Sequence, residues 1–169
     1  PGSGKVPPAL SDYRNLAGFQ TQGVEVESYY NSPRLFASAS LSKQRGTRTG
    51  SQRDPWGADE PVSTIAPDKL MAGLGWRFPD LGASVGWQGR FVAKQERVLP
   101  VGSVYRLPPS KGYALHTLFA SWNGRQGVWR GTEVRLTVDN VFNRNYMPYL
   151  SEAVTGVGRN AKLSVSRKF

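Results

Sequence analysis

The sequence contains no cysteine and a single histidine, and its acidic residues are few: 12 Asp and Glu against 22 Lys and Arg. Without thiols there are no disulfides and no thiol chemistry, although compartment stays open. One histidine and no cysteine leave the Ser-His-Asp and Cys-His arrangements of hydrolases without local support. No spacing of ligating residues suits a metal. No catalytic set, metal or resident cofactor is therefore expected. Long hydrophobic runs are also missing: nothing approaches the ~20 apolar residues of a membrane helix. That excludes helical spans alone, because a membrane β-barrel dilutes its apolar residues with polar ones at every second position. The first residues, PGSGKVPPAL, carry neither a charged n-region nor an apolar h-region. A mature chain and an internal fragment would both read this way.

The net charge of +10 suggests nucleic acid first. Its basic residues are scattered, however, with no run of four. Solvated loops and a polar interior account for them more simply, and no nucleic-acid partner is expected. What the chain has in quantity is 19 Gly, 12 Pro and 5 Trp, a mix that favours turns and strands over helices.

Period two recurs along the chain and period 3.6 hardly at all. Leu35, Ala37, Ala39 and Leu41 alternate with serines. Leu70, Ala72, Leu74, Trp76 and Phe78 oppose Lys69, Met71 and Arg77. Leu81, Ala83, Val85, Trp87, Phe91 and Ala93 oppose Ser84, Gln88, Arg90 and Lys94. Val134, Leu136 and Val138 oppose Glu133, Arg135, Thr137 and Asp139, and Val24, Val26 and Tyr30 oppose Glu25 and Glu27. Ala161, Leu163, Val165 and Phe169 oppose Lys162, Ser164, Ser166 and Lys168. A further run, YALHTLFASW, reads as strand with uncertain parity. These runs predict strands near 13–31, 34–46, 69–78, 81–95, 113–123, 131–142 and 157–169.

The connections alternate between short turns and long segments, about 47–68, 96–112 and 143–156. Alternation alone also suits a soluble sandwich. The charged polar face, the aromatics near strand ends and the one-sided long loops favour an all-β, antiparallel transmembrane barrel. Ten residues at ~3.4 Å, tilted by ~45°, span roughly 24 Å, close to the ~25 Å apolar band of such barrels. Seven strands cannot close an even-numbered barrel, and a free edge in lipid leaves backbone groups unpaired. The seven strands are thus expected to be part of a larger barrel.

The stretches VDNVFNRNY and GRNAKLSVSRKF, with GVEVE upstream, resemble the C-terminal barrel of TonB-dependent outer-membrane receptors. In that family the penultimate strand ends in a pattern like Asn-Leu-Phe-Asp followed by Tyr. Asn140, Val141, Phe142, Asn143 and Tyr146 match it, with Val and Asn as departures. A terminal aromatic such as Phe169 is a broader assembly signal of outer-membrane strands. The resemblance covers nearly the whole chain, 1–169, and implies a plugged barrel of about 22 strands whose plug and earlier strands lie outside it. It implies the bacterial outer membrane, active uptake rather than catalysis, and as partners the TonB complex, the receptor's own plug and outer-membrane lipid. TIAPDK and YMPYLSEAVTGVGRN are most similar to receptors for haem, haemoglobin or haemophores. Haem or a ferric complex is then the transported ligand. A ferric-siderophore receptor and a passive porin or structural barrel are the alternatives.

Within that resemblance, Tyr105, Arg106, Arg144, Tyr146 and Tyr149 lie in or beside outside loops, either as ligand contacts or as interface aromatics and loop charge. His116 invites a haem-ligand role, with a structural histidine near the rim as its alternative. Glu25, Glu27, Arg77, Arg90, Glu133, Arg135 and Asp139 are expected to face the lumen or the plug.

Overall fold

The computed structural model describes residues 18–49, 59–99, 107–151 and 154–168. They form one antiparallel sheet: β1 (Gly18–Asn31), β2 (Leu35–Thr49), β3 (Glu60–Pro61), β4 (Lys69–Phe78), β5 (Ala83–Val92), β6 (Tyr113–Asn123), β7 (Thr132–Asp139) and β8 (Asn160–Arg167). The order is β1-β2-β4-β5-β6-β7-β8, with the two-residue β3 added to the end of β2. Each long strand pairs with the next, so the sheet is a meander. Of the expected strands, 69–78 and 113–123 occur with those bounds. β2 runs on to Thr49, where it meets β3, a pairing that no alternation announces.

Elsewhere local turn chemistry shortens the strands. Pro79–Leu81 forms a 3₁₀ turn ended by Gly82 at φ 64, so Leu81 leaves the sheet and β5 begins at Ala83. A left-handed φ is a conformation that glycine adopts without steric cost. β7 stops at Asp139 because Asn140 takes φ 48. The first turn is a serine turn: Ser32 N–H donates to the Leu35 carbonyl (2.8 Å), and Leu35 N–H donates to Ser32 Oγ (2.9 Å). The turns after β1, β4 and β6 are short and those after β2, β5 and β7 are long. The sheet accordingly has a short-turn rim and a long-loop rim.

The ladder register settles what shares a face. Leu41 pairs with Leu70, Leu74 with Trp87, Trp87 with Leu118, Ala120 with Leu136 and Leu136 with Leu163. Paired residues of a sheet point the same way, so these form one continuous apolar face. No described residue covers it: Leu74 is 52% exposed and Leu163 70%. Among the described residues the buried large apolar side chains reduce to Leu99, in the loop after β5. A water-soluble sheet would bury such a face. This one is built to meet lipid.

Aromatics mark both margins of that face. Trp122 and Trp129 meet edge to face at 6.2 Å on the short-turn rim. Toward the long-loop rim Trp87, Phe91, His116 and Phe142 form a cluster with centroid separations of 5.1–6.5 Å. Such belts are where amphipathic rings sit at a bilayer interface.

The opposite face is polar, with an exception that period two hides. Phe36 of β2 and Phe119 of β6 lie on it, 6.2 Å apart, each with its ring over a glycine of a neighbouring strand, Gly75 and Gly86. Arg77 stacks its guanidinium 4.5 Å above Phe36 and donates from Nη1 to the Ser32 carbonyl at 2.7 Å. A Cβ at Gly86 would meet the Phe119 ring and, at 2.9 Å, the Leu74 carbonyl oxygen, which cannot move without breaking the ladder. At Gly75 the three nearest atoms all belong to the Phe36 ring, a side chain that can give. Gly86→Ala is therefore expected to cost about 1–3 kcal/mol, and Gly75→Ala less. Urea unfolding of the complete receptor in vesicles measures both; the reverse order would mean that the rings are not packed on the glycines.

Candidate functional site

The polar face and the long loops meet at the long-loop rim, and there the chemistry gathers. Asp139, the last residue of β7, accepts from Lys162 Nζ of β8 at 2.9 Å and from Thr117 Oγ1 of β6 at 3.1 Å. Next to it the chain turns sharply. Asn140 is 5% exposed, its Nδ2 donating to the Arg144 and Val157 carbonyls at 2.8 and 3.1 Å. Its Oδ1 accepts from Arg144 N–H at 2.8 Å. Asn143 repeats the device at φ 51, accepting from Arg159 N–H at 2.9 Å. Asparagine tolerates left-handed φ and bonds its own backbone neighbourhood. The two asparagines thus close the base of the last long loop.

That loop leans over the polar face. Tyr146 packs on Tyr113 of β6 with centroids 4.7 Å apart, and Gly156 N–H donates to the Tyr146 carbonyl at 2.8 Å. Tyr149 reaches the loop before β4 and donates its hydroxyl to the Ser63 carbonyl. Burial pushes the Tyr149 phenol up from its ordinary range, and the Arg97 charge opposes that. Below that junction Arg45 makes a two-pronged ion pair with Asp68. The hydrogen bond from Arg45 holds the Asp68 carboxyl below the usual carboxylate range, against burial, with the charges of Arg45, Arg97 and Lys43 adding to it. Arg97 Nη1 donates to the Gln44 carbonyl at 2.9 Å, and Gln95 Nε2 to the Ile65 carbonyl at 2.8 Å. The three long loops are thereby tied together above the sheet.

Between loop and wall lies a cavity of about 320 Å³. Asp139, Lys162, Thr117, Arg90, Met71 and Tyr146 are among its lining residues. Hence Asp139, Arg90 and Tyr146 come together in one place. Glu25, Glu27, Arg77, Glu133 and Arg135 share the polar face and lie elsewhere on it. Ser42 Oγ and Gln44 Nε2 approach Glu25 at 3.3 and 3.4 Å. Tyr29 OH donates to Glu27 at 3.3 Å, and Arg135 pairs with Glu133 at 3.0 Å.

The remaining candidates separate from this group. The register of β6, open from sequence alone, pairs His116 with Gly89 and puts it on the apolar face with Leu118 and Ala120. His116 stacks on Trp87 at 5.7 Å, and its Nδ1 accepts from Trp87 Nε1–H at 3.1 Å. His116 thus points away from the cavity. Arg144 enters the loop base through its backbone. Tyr105, Arg106 and Phe169 lie outside the described residues. Tyr113, Met71 and the Phe36–Phe119 pair were not among the expected site residues. The parity of Met71 and Phe36 was legible, whereas Tyr113 and Phe119 lie on the strand whose parity was open and only the register places them. Among the described residues no cluster of His, Cys, Asp and Glu could hold a metal ion.

A polar inner face, an apolar outer face and alternating loop lengths define a wall segment of a membrane-spanning antiparallel β-barrel. Residues 2–141 match the family described as TonB dependent receptor-like, beta-barrel, and the chain belongs to that family. It is 43% identical over 168 residues to the TonB-dependent heme receptor A of Haemophilus influenzae, covering 96% of this chain and 22% of that protein. It is 30% identical over 167 residues to the heme/hemopexin utilization protein C of the same species, covering 99% and 21%. The chain thus spans about a fifth of the length of the curated relatives it matches. Among solved structures, the FrpB iron transporter of Neisseria meningitidis (F5-1 variant) superimposes with TM-score 0.68 at 25% identity, over 89% of this chain and 24% of that one. The copper transporter OprC, at TM-score 0.69 and 22% identity, covering 87% and 23%, shares the fold.

Proposed function

We propose that this chain is the C-terminal part of the barrel of a bacterial outer-membrane receptor that imports haem, driven through TonB. The plug, the earlier strands and the TonB contact belong to the rest of the receptor. The observation that carries the haem reading is the 43% identity, over 96% of the chain, to a protein named for haem reception. The geometry supports it with a roofed, lumen-facing cavity at the long-loop rim, where an incoming ligand would first meet the wall. The chemistry is passage, not catalysis. Haem comes free or from a carrier such as haemoglobin or a haemophore, with the outer loops as the docking side.

The test uses the complete receptor in a strain that lacks haem synthesis and its own haem receptors. Growth on supplied haem is expected, and deletion of TonB should abolish it. Growth restored only by a ferric siderophore, in an iron-limited strain, would transfer the protein to that class. Growth on haem without TonB would indicate a passive pore.

A further inference from the structure

We infer that Arg90 is an anion anchor at the lumenal mouth of this barrel, taking a carboxylate borne on an apolar ligand body. Under the haem reading, on which this identification of the ligand rests, the carboxylate is a propionate. Arg90 lies on the polar face of β5, two residues before the strand ends at Val92, so it sits within about 10 Å of the long-loop rim. In register, Met71 of β4 and Leu115 of β6 flank it. All three line the cavity beneath the last loop, with Tyr146 and Val157.

The cavity's other charges are committed. Asp139 is engaged by both Lys162 and Thr117, which leaves Lys162 with its own counter-ion. Among the described residues no hydrogen bond or ion pair engages the Arg90 guanidinium. Arg90 also acts on Asp139 through its charge, but the cavity's two cations, Arg90 and Lys162, face the single carboxylate of Asp139. One positive charge is therefore in excess, and a guanidinium's planar fork matches a carboxylate with two parallel bonds. A bare inorganic anion would use the cation but not Met71 and Leu115 on its two flanks. An amphiphilic acid uses both. The volume of about 320 Å³ lies at the small end of ligand pockets. It suits one edge of a large flat molecule, with the rest projecting into the lumen.

The experiment titrates the purified full-length receptor with haemin and with haemin dimethyl ester, whose propionates are capped. The wild type is expected to prefer the free acid by about tenfold or more, the scale of a charge-assisted hydrogen bond. Arg90→Gln should weaken haemin by about that factor and leave the ester unchanged, so the preference disappears. Arg90→Lys should restore part of it. Unchanged ester affinity shows in the same titration that Arg90→Gln is folded; if it is not, the ratio measured on Arg90→Lys must fall between one and the wild-type value. A wild type that does not distinguish the two porphyrins overturns the inference while the haem reading stands. So does an Arg90→Gln receptor that keeps its preference, the result expected if a plug carboxylate pairs with Arg90 instead. Binding of neither porphyrin by the wild type removes the haem reading and the anchor with it.

Discussion

Arginine in place of Leu136 should destabilise the complete receptor by about 2–4 kcal/mol, and arginine in place of the adjacent Thr137 by far less. The two positions are consecutive in β7 and lie at nearly the same depth, so depth does not enter the comparison. Leu136 sits between Ala120 and Leu163 on the uncovered apolar face and is 44% exposed to whatever surrounds that face. A guanidinium there must shed its hydration into hydrocarbon or stretch toward an interface. Thr137 faces a mostly polar hollow of about 380 Å³ whose lining also includes Ser84, Gln88, Ser121, Arg135 and Asp139. An arginine there keeps its water and has a carboxylate within reach. Urea-induced unfolding of the receptor in lipid vesicles reads the difference directly. Equal losses would mean that the apolar face is covered by protein, and the orientation of the wall would be lost.

The two faces were legible in the sequence because a strand repeats every second residue, and a face that meets lipid must keep that period without interruption. Leu74, Val85, Leu136 and Leu163 obey it, and they fall on one surface through four different ladders. The loop asymmetry was legible for a similar reason: turns and long segments differ in composition. Whatever depends on partners several strands away was not. His116 lies in a run where apolar residues occupy both parities, Leu115 and Phe119 on one, Ala114 and Leu118 on the other. Only pairing with β5 decides between them, and it puts the imidazole against Trp87. Phe36 and Phe119 interrupt the polar face because glycines on neighbouring strands leave room for their rings. Tyr149, a candidate ligand contact from its loop position, donates its hydroxyl to the Ser63 carbonyl 86 residues away in sequence, a partner no local pattern announces. Arg90 looked like any lumenal charge until the bonding of Asp139 to Lys162 left its guanidinium without a hydrogen-bonded partner among the described residues.

Asn140→Ala is expected to open the last long loop, at a local cost of about 3–5 kcal/mol, with the sheet left intact. Two penalties combine. Alanine at φ 48 sits in the left-handed region, which costs a residue with a Cβ about 1–2 kcal/mol. The side chain also makes three hydrogen bonds to Arg144 and Val157, each worth about 0.5–1.5 kcal/mol net, and more where a buried partner is left unsatisfied. Asn140→Gly separates the two, since glycine accepts the backbone angle but makes none of the bonds; its cost should fall between. Asn140→Asp keeps the acceptor for Arg144 N–H and loses both donations, and should also be intermediate. Amide hydrogen exchange across residues 141–159 measures the opening, while β6 and β7, held by their own ladder, should exchange as before. Tyr146, which lines the cavity, depends on that loop. On the haem proposal, haemin affinity should therefore fall in the order wild type, Asn140→Gly, Asn140→Ala, although the Asn140 side chain has spent both its nitrogen and its oxygen on the backbone. The Asn-Val-Phe-Asn stretch would then matter because it folds the roof, not because it touches the ligand. Protected amides in Asn140→Ala, or an affinity that falls while protection persists, would contradict that division of labour.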